Sequence, residues 1–135
     1  MKELFSSKNG KVAHLSNDGI IVMRFIGDMS DEAYFEIWDN SIECAIKTAS
    51  KLFLIDQSQI GNVSFMVRSK VVIKYLPTIK KEIGRNLKVA VLTSGSVVHK
   101  SGMKYLAKTF QKLAAFNIEF FNDEAVAISW ITDKQ

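Results

Sequence analysis

Polar side chains that could bind a ligand follow an apolar run near the middle of the chain. The stretch "LFLIDQSQIGNVSFMVRSK", from Leu52 to Lys70, passes from a strand-like run to small polar residues before a helical pattern resumes. Open α/β sheets bind ligands at the carboxyl ends of their strands, which makes Asp56 the best candidate for a polar anchor. The candidate site for a small ligand comprises Asp56, Ser58, Asn62, Ser64 and Arg68. The alternative is that Asp56 accepts hydrogen bonds from loop amides and only fixes a turn.

Residues that could act as metal ligands or nucleophiles are few. His14 and His99 have no His, Cys or acidic residue at the spacing of a zinc site, so we predict no metal. Cys44 has only Lys47 as a nearby basic residue and is typical of a small buried apolar residue. The stretch "SGSVVHKSG" lacks the glycine spacing of phosphate-binding and dinucleotide-binding loops. We therefore expect no catalytic residue, no cofactor and no enzymatic activity.

Two sets of charged residues recur at helical spacing and could form an interaction surface. The basic set comprises Lys100, Lys104, Lys108 and Lys112. The acidic set comprises Glu32, Glu36, Asp39 and Glu43. Each set could be only a solvated helix face. Two faces of opposite charge favour self-association, or a protein partner with a charged surface, and an association rate that falls as salt is added.

The composition predicts one domain over residues 1–135, with an uneven charge along the chain. The net charge is +4, but residues 57–112 hold eleven basic residues and one acidic residue, Glu82, so this part carries +10. The remaining residues carry −6, and a chain divided in this way is expected to form an electrically polarised particle. We do not expect nucleic acid as a partner, because binding of single strands generally needs exposed aromatic residues among the basic ones, and Tyr75, Tyr105 and Phe110 lie at or next to predicted core positions.

Three further features predict a cytoplasmic protein. No apolar segment is long enough to span a membrane. The amino-terminal stretch "MKELFSSKNGK" lacks the apolar run of a secretory signal, and the single cysteine cannot form an internal disulfide.

Apolar periodicity and turn residues predict alternating strands and helices. "VAHLSNDGIIVMRFI" predicts a hairpin, and Ser30 can cap a helix that continues to about Ser50. "KLFLID" and "LKVAVLT" predict buried strands around a second helix that kinks or breaks at Pro77. A third helix, the strand "IEFF" and a terminal helix capped by Asn122 or Asp123 complete the order. The predicted fold is an α/β sandwich with a four- or five-stranded mixed sheet and about four helices.

The element order and the carboxy-terminal "IEFFNDEAVAISWI" resemble small stand-alone bacterial domains related to STAS proteins, the SpoIIAA-like or anti-anti-sigma-factor-like domains. The resemblance implies a non-enzymatic regulatory or protein-interaction module, and the two oppositely charged helix faces predict that it forms homo-oligomers. In phosphorylated STAS proteins, an Asp-Ser-Ser-Gly-like motif after the central strand carries the serine that accepts phosphate. Here "GNVSFMVRSK" has Ser64 without that aspartate or glycine, so we expect no phosphoregulation. The layout also resembles the CRAL-TRIO-type lipid-binding fold, which implies the alternative function of binding a small apolar or anionic ligand.

Overall fold

The computed structural model describes residues 2–61, 63, 65–94, 108, 111–112 and 116–133. Its strands are β1 (Lys2–Ser7), β2 (Gly10–Leu15), β3 (Ile20–Gly27), β4 (Leu52–Ile60), β5 (Lys88–Leu92) and β6 (Asn117–Phe121). Its helices are α1 (Asp31–Thr48), α2 (Phe65–Thr78), continued by a π-helical turn at Ile79–Ile83, and the carboxy-terminal helix α3 (Glu124–Thr132).

The six strands form one mixed sheet in the order β1-β2-β3-β4-β5-β6. Strands β1, β2 and β3 are antiparallel neighbours, and β3 through β6 pair in parallel. The predicted hairpin of β2 and β3 is confirmed, with Gly19 at a φ of 70° in its turn. The mixed α/β fold class is confirmed as well.

The strand and helix counts differ from the prediction. The described residues form six strands where four or five were expected, because the sequence pattern did not reveal β1. Its residues are mostly exposed and polar, which is usual for an edge strand and gives little apolar periodicity. Three helices have bounds among the described residues, whereas about four were expected. The predicted third helix falls largely outside those residues, where Lys108, Gln111 and Lys112 are helical.

Local signals placed the helix ends correctly. Ser30 caps α1, since its hydroxyl accepts a hydrogen bond from the Ala33 amide at 3.1 Å. Asp123 caps α3 by accepting a bond from the Val126 amide at 3.1 Å. Beyond Pro77 the chain stays helical but changes from α to π winding at Ile79, and Gly84 ends this turn with a φ of 109°.

The sheet separates two apolar clusters. Helices α1 and α2 cover one face, where Phe25, Tyr34 and Ile37 are at most 1% exposed. Helix α3 covers part of the other face and packs Ala127 and Ile131 against Leu54 and Ala90. Side chains alternate between the two faces along a strand, so Phe53 and Ile55 of β4 face α1 and α2, whereas Leu54 faces α3.

Candidate functional site

Asp56 lies within strand β4, not at its end. The strand continues to Ile60, so the polar stretch after Asp56 is part of the sheet and not the expected turn. Asp56 pairs in register with Arg24 of β3, and its Oδ2 accepts a hydrogen bond from Arg24 Nη1 at 2.7 Å. Its Oδ1 accepts bonds from the Ser58 amide at 3.0 Å and the Ser58 hydroxyl at 2.6 Å. Both carboxylate oxygens are therefore engaged by protein donors.

Arg24 joins this carboxylate to helix α3. The same Nη1 donates to Glu124 Oε1 at 2.7 Å, across a separation of 100 residues. The hydrogen bond to Glu124 is the main cause that raises the pKa of Arg24, and Asp56 adds to it. Only 12% of the Asp56 side chain and 29% of the Arg24 side chain are exposed. One guanidinium thus links two strands to the first turn of α3.

The predicted ligand-binding set is brought together only in part. Asp56 and Ser58 are in contact on the α3 face of the sheet, with Leu54 two residues earlier on the same face. Asn62, Ser64 and the side chain of Arg68 lie outside the described residues. The ligand-binding role of this set stays a prediction. The engaged oxygens of Asp56 favour the alternative, a carboxylate that stabilises the fold.

The predicted acidic set lies along α1, where Glu32, Glu36 and Glu43 are exposed. Asp39 differs from them, because its Oδ1 accepts a hydrogen bond from the Tyr75 hydroxyl at 2.7 Å and lies 3.8 Å from Lys74 Nζ. Burial, and then the hydrogen bond to Asp39, raise the pKa of Tyr75 far above its ordinary value. Asp39 therefore joins α1 to α2, although its side chain is 55% exposed. Glu43 pairs with Lys47 on the same helix, with 2.9 Å between Oε1 and Nζ.

The predicted basic set is described only at Lys108 and Lys112. Both residues are helical and exposed. Lys100 and Lys104 lie outside the described residues. The role of this set in self-association stays a prediction.

The outer face of α2 was missed in the sequence analysis. Met66 is 67% exposed and Ile73 is 79% exposed, which makes them the most exposed large apolar side chains among the described residues. They are seven residues apart, so both point away from the core stripe of Val67, Val71 and Tyr75. Exposed lysines at positions 70, 74, 80 and 81 flank them. The signal that could have revealed this face is two large apolar residues outside the core periodicity of α2.

An apolar cavity of about 70 Å³ lies on the opposite face of the sheet from Asp56. Helix α1 and the π-helical turn contribute Tyr34, Trp38, Ile42 and Ile79, while β4 contributes Phe53, Ile55 and Gln57. The remaining described lining residues are Leu87, Val89, Val91, Phe116, Ile118 and Phe120. The Trp38 indole stacks on Tyr75 with a centroid distance of 5.5 Å. Its Nε1 is buried and has no hydrogen-bond partner among the described residues.

The remaining candidate residues of the sequence analysis are not grouped. His14 lies on β2, Cys44 is buried on α1, and His99 is outside the described residues. Burial raises the pKa of the Cys44 thiol. Within the described ranges, no three His, Cys, Asp or Glu side chains are close enough to hold a metal ion together. Similarly, no described helix is long and apolar enough to cross a membrane.

These features define a single six-stranded mixed sheet with helices on both of its faces. The sequence matches no protein-family model and no curated protein. Among solved structures, the chain is similar to an uncharacterized protein of the DUF3478 family with a SpoIIAA-like fold from Shewanella loihica PV-4. The TM-score is 0.60 with 16% identity, over 95% of this chain and 99% of that one. It is also similar to an anti-sigma factor antagonist from Mycobacterium paratuberculosis, with a TM-score of 0.53 and 15% identity over 96% of this chain and 100% of that one. The resemblance seen in the sequence is thereby confirmed at the level of the fold.

Proposed function

We propose that this chain is a non-enzymatic, cytoplasmic interaction module that binds an acidic protein through the outer face of α2. The observation that carries the proposal is the exposure of Ile73 (79%) and Met66 (67%) on a helix bordered by lysines. A large apolar side chain gains most by being buried, and such residues form the centre of many interfaces. This is the kind of surface expected of a domain whose fold resembles that of an anti-sigma factor antagonist.

The charge around this face specifies the kind of partner. Lys70, Lys80 and Lys81 are exposed around the apolar residues, and Glu82 is the one acidic residue between positions 57 and 112. An acidic partner would be steered to this face by long-range attraction and held by burial of Ile73 and Met66. The complex should therefore form more slowly at higher salt.

A second copy of the chain is the alternative acidic partner. Helix α1 exposes Glu32, Glu36 and Glu43, so its charge is complementary to that of the outer face of α2. Where both surfaces of each copy meet in one interface, this contact closes a two-fold dimer, and where they meet head to tail it generates rings or chains of subunits. The acidic face of α1 supports this homo-oligomer as the second candidate.

The experiment is recovery of a complex formed in the source cells by the affinity-tagged chain, compared between two aspartate variants. The tagged original chain should recover its partner in an amount about equal to its own. Ile73→Asp should lose this partner, because a charge replaces the central apolar contact. Val126→Asp is the matched control, since Val126 is 55% exposed on α3, against the other face of the sheet. Equal recovery with both variants would contradict the proposal.

A further inference from the structure

We propose that the cavity beneath Trp38 binds a small, mainly apolar molecule that carries one hydrogen-bond acceptor. This proposal does not depend on the outer face of α2, because the cavity lies between α1, the π-helical turn and strands β4, β5 and β6. It also differs from the ligand site predicted around Asp56, which lies on the other face of the sheet.

The size and lining of the cavity determine the class of ligand. Its volume of about 70 Å³ exceeds the room that one water molecule needs, which is about 10–15 Å³. Ten of the thirteen described lining residues are hydrocarbon side chains, and the other three are Gln57, Tyr34 and Trp38. A lining of this kind favours a small molecule that is mainly apolar and makes few polar contacts.

The indole of Trp38 provides the specific polar contact. Trp38 is 8% exposed, and its stacking on Tyr75 at an angle of 22° between the rings fixes the indole plane. Its buried Nε1 has no acceptor among the described residues, although a buried indole N–H usually finds a hydrogen-bond partner. A ligand acceptor in the cavity would satisfy this donor, and a hydrocarbon of the same shape would not.

Cyclopentanone and methylcyclopentane are suitable probes, because they have similar shapes and only the ketone has an acceptor. The readout is the indole N–H resonances of the two tryptophans, Trp38 and Trp130, in a proton–nitrogen NMR spectrum. Trp130 is the internal control, because it belongs to α3 and packs on Phe121 with the cluster on the other face of the sheet. We expect the ketone to shift the Trp38 resonance in a saturable manner and to leave that of Trp130 unchanged.

Binding of each probe to the variants is measured through the backbone amide resonances of the lining residues, because the Trp38→Phe protein has no indole N–H at position 38. The variant Trp38→Phe tests the hydrogen bond itself. It should weaken ketone binding about fivefold by removing the donor, and it should leave hydrocarbon binding within about twofold. Val89→Leu, which adds a methylene to the cavity wall, should weaken binding of both probes.

Three results would overturn the proposal. The first is a spectrum of the original protein in which saturating ketone leaves the Trp38 resonance unmoved. The second is an equal shift of both indole resonances, which would indicate non-specific binding. The third is equal ketone affinity of the folded Trp38→Phe variant. The first two results are obtained with the original protein alone, so the proposal can be overturned even if a variant fails to fold.

Discussion

Arg24 and Asp56 face each other in register on β3 and β4, with Arg24 Nη1 at 2.7 Å from Asp56 Oδ2. The same guanidinium nitrogen binds Glu124 at the start of α3. Lys88 supports the other end of this helix, since its ammonium group donates to the Trp130 carbonyl oxygen and lies 4.5 Å from the centre of the Trp130 ring. An ion pair at the start of α3, and a charge-assisted hydrogen bond with a cation–π contact at its end, thus fix the helix on the sheet.

Asp56→Asn should destabilise the fold, because it weakens the bond to Arg24 and places an amide where Ser58 donates two hydrogen bonds. The expected loss in the free energy of unfolding is about 1–3 kcal/mol, measured by urea denaturation. Glu3→Gln is the matched control, because the Glu3–Lys11 pair is 3.9 Å long and half exposed, so its loss should cost less than about 1 kcal/mol. An Asp56→Asn variant as stable as the original would contradict the structural role and favour the ligand-anchoring one.

Tyr75 should make stability depend on pH in the alkaline range. Its pKa is raised in the folded state, so its contribution is complete below the unfolded pKa of about 10 and is lost as the pH rises further. The stability advantage of the original chain over Tyr75→Phe should therefore shrink by about 1 kcal/mol between about pH 9 and pH 11. Urea denaturation of both proteins at the two pH values measures this change. If the stability difference between the two proteins stays constant or grows from about pH 9 to pH 11, Tyr75 ionises in the folded protein, which contradicts the raised pKa.

Ser64 should carry no phosphate in cells, because the aspartate and glycine of the phosphoacceptor motif are absent around it. Intact-mass and peptide mass spectrometry of protein from several growth conditions measures the modified fraction. A substantial phosphorylated fraction at Ser64 in any condition would show that the domain is switched in spite of its altered motif.

Self-association should depend on the acidic face of α1 if a second copy is the partner. Glu36→Lys combined with Glu43→Lys should lower the associated fraction in analytical ultracentrifugation at low salt, because like charges would then face each other. Asp18→Lys, in the exposed hairpin turn, changes the net charge without altering that face and serves as the control. A chain that is monomeric at every protein concentration would exclude the homo-oligomer.

Those parts of the fold in which local sequence signals agree with the packing could be predicted from the sequence. The helix caps at Ser30 and Asp123 and the hairpin of β2 and β3 follow from short-range chemistry, and all are confirmed. β1 was missed because an exposed edge strand needs few apolar residues.

The candidate site was less predictable because its contacts are long-range. The polar residues Asp56 and Ser58 are typical of a turn, so the sequence favoured one at this point. They lie two residues apart within β4 and share one face of the sheet, where Arg24 neutralises the Asp56 carboxylate. The pairing of Arg24 with Glu124, 100 residues away, has no local signal. The cavity likewise depends on side chains from five separate segments, which only the tertiary structure brings together.

Site-specific photo-crosslinking in the source cells tests the proposed interaction face most directly. A photoreactive amino acid at position 73 should give one discrete adduct with an acidic protein, and the same residue at position 126 on α3 should give none. The mass of the adduct distinguishes a foreign partner from a second 15.2 kDa copy. Adducts from position 126 but not from position 73, or none from either, would contradict binding through the outer face of α2.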